Sequence, residues 1–259
     1  MGQIKQSEWY EQWNLFRDEE TLFLFENWIY PATLEDFRDK KVLEGGCGGG
    51  QQTTLIAPYA REIVAVDLNT IELAKQRNKK FSHVTFLEAD ISEMDLGQQF
   101  DIVFSVGVIH HTDYPEKAVE NLKRHVKKGG RIILWVYARE GNFLVEHGVE
   151  PLRRLFFKNL SRKNLMGVAK LITCALYIPV YTLYLLPLPF LPYYQYFQNF
   201  RELSFYRNTL NVFDKLNAPQ VDFICKERVV KWFDSHDFEN IHISPYLGIS
   251  WRVSARKRC

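Results

Sequence analysis

Apolar residues gather in five short runs along the first half of the chain, and most of these runs stop at a polar residue. The runs lie before Glu44, from Ile63 to Asp67, from Val84 to Asp90, from Phe100 to Ile109 and from Gly130 to Tyr137. Short β-branched and aromatic runs of this kind predict strands. Between them the apolar spacing widens to three and four, which predicts helices over 51–59, 70–81 and 115–126. Pro115 suits the first turn of the last of these. Strands alternating with helices predict an α/β fold, in which a mainly parallel sheet carries helices on both faces.

The turn after the first run concentrates the chemistry. Glu44 ends the run, and five glycines then surround Cys47. Residues without a Cβ let a backbone turn sharply and approach a ligand closely. A dinucleotide site needs G-x-G-x-x-G, but counting from Gly46 the third glycine would fall on Gln51. The spacing that fits is E-x-G-x-G-x-G, on Glu44, Gly46, Gly48 and Gly50. Asp67 ends the second run about 20 residues later, where nucleotide-binding α/β units place an acid on both ribose hydroxyls. Asp90 ends the third run, and Ser105 and Val106 fall at the end of the fourth. Open α/β sheets bind ligands outside these carboxyl ends.

These residues resemble motif I and the following acids of the class I S-adenosylmethionine-dependent methyltransferases. The stretch from Gly107 to Ala118, with His110, His111, Thr112 and Pro115, is similar to the turn after strand four in the type 11/12 group. The segment from Asn217 to Phe233 resembles that group's ending, with Asp237 standing before Phe238 where glycine is usual. The resemblance implies a doubly wound, Rossmann-like, mainly parallel seven-stranded sheet with a helical lid inserted after strand five. It also implies S-adenosylmethionine as cofactor and S-adenosylhomocysteine as product. Glu44, Gly46 and Gly48 would cradle the methionine moiety, and Asp67 the ribose. Asp90 would take the adenine amino group, with Leu68 and Ile91 on either side of the ring. Cys47, Gln51, Ser105 and Val106 complete the expected cofactor set.

The implied organisation has four parts. Residues 1–40 form a helical cap over the cofactor, with Ser7 as a helix cap and Trp13 on the substrate. Residues 41–140 form the cofactor-binding core, 141–219 an aromatic-rich helical lid, and 220–259 a helix and strands that complete the sheet. Leu171 to Phe200 contains no charged residue and no histidine, but holds four prolines. Its length alone would make it a membrane-span candidate, which Pro179, Pro187, Pro189 and Pro192 argue against. Basic residues precede it, including Arg153, Arg162, Lys163 and Lys170. Three readings stay open: a lid over the substrate, a homodimer contact through 165–206, and peripheral membrane contact.

Methyl transfer from a sulfonium is an in-line displacement, so positioning supplies much of the rate. An oxygen acceptor also needs a base, and His110 or His111 is the candidate. The competing reading is that both only shape their loop, with Asp113 as hydrogen-bond partner. Tyr137, Tyr206 and Arg207 are the further substrate candidates. No metal is expected, because adjacent histidines on a turn rarely share one ion.

Net charge is +2, and basic clusters are confined to Lys123–Lys128 and Arg256–Arg258, so no nucleic-acid partner is expected. The sequence lacks the Asn/Asp-Pro-Pro-Tyr-like turn of amino-methylating DNA enzymes and the Pro-Cys of cytosine-5 enzymes. The paired glutamates of arginine methyltransferases are missing too. The favoured acceptor is therefore small or lipid-like. The alternatives are a macromolecule (tRNA, protein or surface polysaccharide) and a non-catalytic cofactor-binding module. Cysteines without C-x-x-C spacing point to a reducing cytoplasm, with membrane association as the variant.

Overall fold

The computed structural model describes residues 21–157, 160–218 and 220–259. The described residues hold a seven-stranded sheet in the order β3-β2-β1-β4-β5-β7-β6. Its strands are β1 Lys41–Gly45, β2 Glu62–Asp67, β3 Val84–Glu88, β4 Phe100–Val106, β5 Val126–Tyr137, β6 Phe238–Tyr246 and β7 Ser250–Lys257. β1 to β5 run parallel, while β7 lies antiparallel to both β5 and β6. The order reverses between β1 and β4, which opens a crevice at their carboxyl ends.

Strands covered on both faces read as unbroken apolar runs. Alternate residues of the central strands feed two cores. Leu43, Val64, Val66 and Val103 enter one, and Val42, Ile63, Ala65 and Phe104 the other. Phe104 is fully buried and meets Phe25 and Phe37 edge-on, at centroid distances of 6.0 and 5.7 Å. Burying such a ring stabilises the fold by about 2–3 kcal/mol.

Helices α1 Thr21–Ile29, α2 Gln51–Ile56, α3 Ile71–Asn78 and α4 Pro115–Arg124 flank the sheet. α4 opens on Pro115, buries Ala118, Val119 and Leu122, and ends on Lys123 and Arg124, which complement its dipole. The helices are shorter than the spacing predicts. Pro58, which has no N–H, lies just beyond α2. β5 starts four residues earlier than expected, so α4 stops at Arg124 and His125 makes the turn.

The insertion after β5 is helical. An irregular run over 145–157 with π-helical turns leads to α5 Arg162–Val180, α6 Tyr194–Glu202 and α7 Phe205–Asn217. Ser161 and Ser204 cap α5 and α7, accepting from the N–H groups of Asn164 and Arg207 at 3.3 and 3.1 Å. Pro179 sits in the last turn of α5, and the uncharged stretch continues as a short 3-10 turn before α6. The insertion has its own core, built around Leu165, Ala169, Phe200, Phe213 and Leu216. No helix among the described residues is long and apolar enough to cross a membrane. α8 Lys226–Lys231 precedes the final hairpin. Ser7, Trp13 and the start of the expected cap lie outside the described residues.

Candidate active site

The glycine loop leaves β1 through three left-handed turns, with φ of 83° at Gly46, 53° at Gly48 and 76° at Gly50. A Cβ on Gly46 would overlap the Val108 side chain, so this position accepts glycine only. The Gly46 and Cys47 N–H groups both bond the Val66 carbonyl, which pins the loop to β2. This geometry turns Cys47 into the core instead of toward a ligand, and burial pushes its thiol well up. Glu44 lies beneath the loop, 1% exposed, and faces neither cleft. Its Oε2 accepts from the Thr53 hydroxyl at 2.5 Å, while Oε1 has no hydrogen-bond partner among the described residues. Burial raises its carboxyl to about 8.

A cleft of about 600 Å³ opens beside this loop. Gly46, Gly48, Asp67, Leu68, Asp90 and Ile91 line it, together with Asn69, Val108 and Thr112, which the sequence pattern does not single out. Asp67 also organises the loop. One of its oxygens accepts from the Gly48 N–H at 3.0 Å, and the other from the Asn69 and Thr70 N–H groups and the Thr70 hydroxyl. Asp90 caps the turn after β3 by accepting from the Ser92 N–H at 2.8 Å.

Beyond β4 the expected residues separate. Ser105 is fully buried and donates to the Gly45 carbonyl at 2.7 Å, so it ties β4 to β1 and faces no cleft. The paired histidines divide in the same way. His110 is fully buried, its Nδ1 accepts from the Tyr137 N–H at 3.3 Å, and it lines neither cleft. His111 lines both. Its Nδ1 lies 2.7 Å from the Gln220 carbonyl, and a carbonyl only accepts, so the proton sits on Nδ1 and the basic lone pair on Nε2. Burial lowers its pKa, partly opposed by Asp214 and the Gln220 carbonyl, which keeps the ring neutral near pH 7. Asp113 accepts from the Gln220 side chain at 2.9 Å and does not partner a histidine as expected.

The second cleft, about 1060 Å³ and open to solvent, meets the first at Gly107 and His111. Gln51 and Val106, expected on the cofactor, line this cleft, as do Tyr137 and Arg207. Tyr206, one position earlier on α7, does not. The walls are aromatic. Trp28 and Trp135 lie 5.1 Å apart, and Trp135 and Tyr137 5.3 Å. Gln52 Oε1 and Trp135 Nε1 are buried in the wall without a hydrogen-bond partner among the described residues. Tyr196, Asn199, Asn211, Asp214 and Lys215 close the cleft from the insertion. Tyr137 donates to Asp214 at 2.9 Å. Burial alone would pull the Lys215 ammonium down, but the Tyr196 hydroxyl and Asp214 hold it above its ordinary value. Only the chain fold assembles this set. A local hint was present on α7, whose polar residues Asn211, Asp214 and Lys215 recur at helical spacing on one face.

Comparison with known proteins agrees with this fold. Residues 43–134 match the model of a family described as "Methyltransferase domain". Residues 43–134 thus carry a methyltransferase domain. A ubiquinone biosynthesis O-methyltransferase of Rickettsia conorii is 29% identical over 102 residues, 38% of this chain and 35% of the relative. A tRNA U34 carboxymethyltransferase of Mannheimia succiniciproducens is 28% identical over 122 residues, 45% of this chain and 37% of the relative. The chain thus spans little more than a third of the length of these curated relatives. Among the solved structures that share the fold are two further methyltransferases. One is the N-methyltransferase NodS of Bradyrhizobium japonicum in complex with S-adenosylhomocysteine (TM-score 0.54, 13% identity, 96% of this chain and 98% of that one). The other is magnesium protoporphyrin IX methyltransferase of Synechocystis with bound S-adenosylhomocysteine (TM-score 0.52, 12% identity, 99% and 90%).

Proposed function

We propose that the chain binds S-adenosylmethionine in the cleft beside the glycine loop and transfers its methyl group to a small or lipid-like acceptor in the aromatic cleft. The observation that carries this reading is the junction of the two clefts at Gly107 and His111. The first cleft suits the cofactor's parts. It offers a close-approaching backbone at Gly46 and Gly48, a carboxylate at Asp67, and apolar side chains at Leu68 and Ile91. The cofactor supplies an electrophilic methyl on a sulfonium.

The remaining work falls to the chain's own residues. Trp28, Trp135 and Tyr137 exclude water and position an apolar body. Gln52 and Trp135 offer one acceptor and one donor to its polar end. His111, neutral with its lone pair on Nε2, takes the proton of an attacking hydroxyl. The insertion acts as a lid, because α6 and α7 supply one wall of the cleft.

The test is incubation of the purified protein with methyl-labelled S-adenosylmethionine and a cell extract, followed by size and solvent fractionation. Label in low-mass or organic-soluble material supports the proposal. Label in tRNA, protein or polysaccharide favours the macromolecular alternative, and no transfer with intact cofactor binding favours a non-catalytic module.

A further inference from the structure

The insertion carries an apolar surface on the side turned away from its own core. The inner face of α5 buries Leu165, Ala169, Thr173 and Val180. The opposite stripe runs through Lys163, Lys170, Cys174 and Ile178 at helical spacing, with Leu171 beside them, and all five are exposed. Its first half is cationic and its second half uncharged, with Leu171 73% and Ile178 70% exposed. The exposed apolar surface continues past the helix through Leu183, Leu185, Leu186 and Phe190, the last 78% exposed. A helix that faces water carries charged residues there, and an uninterrupted apolar set marks an interaction surface.

Charge decides what covers it. No Asp or Glu stands between Glu150 and Glu202, although the chain holds 31 acids among 259 residues. Arg162, Lys163 and Lys170 flank the apolar stripe. A second copy packed on this face by two-fold symmetry would set cations on cations if the helices ran parallel, or each cationic half on the partner's apolar half if they ran antiparallel. An anionic bilayer surface satisfies both halves, with phosphates for the cations and acyl chains for the apolar side chains. The surface also adjoins the aromatic cleft. Pro189, Leu191 and Tyr193 share a groove with Leu247 and Ile249, which themselves line that cleft.

We infer that the outer face of α5 and the segment 181–190 dock the protein on an anionic lipid surface, with the mouth of the aromatic cleft beside the bilayer. Docking stands on this surface alone. Its use in presenting a lipid-borne acceptor rests on the proposed methyl transfer. Lid and docking roles coexist, because α6 and α7 supply the cleft wall while α5 and 181–190 supply the docking surface.

The test is flotation of the full chain with vesicles of phosphatidylcholine alone and of two parts phosphatidylcholine to one part phosphatidylglycerol. Binding to the mixed vesicles should exceed binding to the neutral ones by about tenfold or more. The double variant Leu171→Glu/Ile178→Glu should lose it, and Lys163→Glu/Lys170→Glu should weaken it about tenfold. Both variants should keep the wild-type affinity for S-adenosylhomocysteine, which shows that they fold. An environment-sensitive dye on Cys174, with Cys225 and Cys259 replaced by serine, reads the same contact without adding charge to the apolar stripe. Its emission should shift to the blue on mixed vesicles only. Equal binding to both vesicle types, a dye indifferent to lipid, or a dimer that the glutamate variant dissociates would each overturn the assignment.

Discussion

His111 and Gln220 hold each other across 109 residues of chain. The His111 ring donates to the Gln220 carbonyl at 2.7 Å, and the Gln220 amide donates to the His111 carbonyl at 2.9 Å. The same amide reaches Asp113 at 2.9 Å. The turn after β4 is thereby fastened to the segment that follows the insertion, and the tautomer of His111 is fixed by a residue outside the methyltransferase core.

Replacing Gln220 with alanine removes both amide bonds but keeps the carbonyl. The turn should loosen, and turnover should fall by about tenfold, because small misplacements of a reacting group are costly. Affinity for S-adenosylhomocysteine should stay the same. Steady-state kinetics with calorimetry checks this, and a loss of cofactor affinity equal to the loss of rate would place Gln220 in the cofactor site instead.

Asp67 both lines the first cleft and accepts four hydrogen bonds from the surrounding loop. Asp67→Ala should weaken S-adenosylmethionine binding by roughly 2–3 kcal/mol, the scale of charge-assisted bonds. The loop should lose order at the same time, so the melting temperature should drop even without ligand. NADH should not bind to either protein. Titration calorimetry that finds unchanged affinity in the variant would remove Asp67 from the ligand site.

Glu44 makes stability depend on pH. Its carboxyl is held at about 8 in the folded chain, against an ordinary glutamate value of 4.5. Below the lower value both folded and unfolded states are protonated, and the group has no effect. Between the two values only the unfolded chain ionises, so stability falls as pH rises. Near pH 7 the loss amounts to about 3 kcal/mol. Glu44→Gln keeps an acceptor for Thr53 and cannot ionise. Denaturant melts should show the variant and the wild type alike below the ordinary glutamate value of 4.5 and the variant more stable near pH 8. Parallel pH profiles would mean that Glu44 is ionised in the folded chain.

The strands and the glycine loop were legible because their signals are local. A short apolar run predicts a strand wherever it lies, and E-x-G-x-G-x-G excludes a dinucleotide turn by spacing alone. Asp67 and Asp90 followed from the rule that ligands bind at carboxyl strand ends, and Leu68 and Ile91 from the family resemblance. The expected residues that do not line the clefts share one physical cause, which is that sequence adjacency does not set direction. Cys47, Ser105 and His110 neighbour the clefts in sequence, but backbone geometry turns each inward. The aromatic cleft drew Trp28, Gln52, Trp135, Asp214 and Tyr246 from five separate elements, and no pattern along the chain links them. On α7 the step from Tyr206 to Arg207 rotates the side chain by about 100°, which moves one out of the cleft and the other into it.

In the proposed reaction His111, and not His110, takes a proton where the two clefts meet. Single-turnover methyl transfer across pH, with the acceptor fraction recovered from extract, tests it most directly. The wild-type rate should hold on the alkaline side and fall only as pH drops below the ordinary imidazole value of 6.5, because burial lowers the pKa of His111. His111→Ala should run about 10²-fold slower and lose that acidic limb, with cofactor affinity unchanged. His110→Ala should keep the limb but lose about 1–3 kcal/mol of stability, since it strands the buried Tyr137 N–H. A His111→Ala enzyme with the wild-type rate and pH profile would contradict the account.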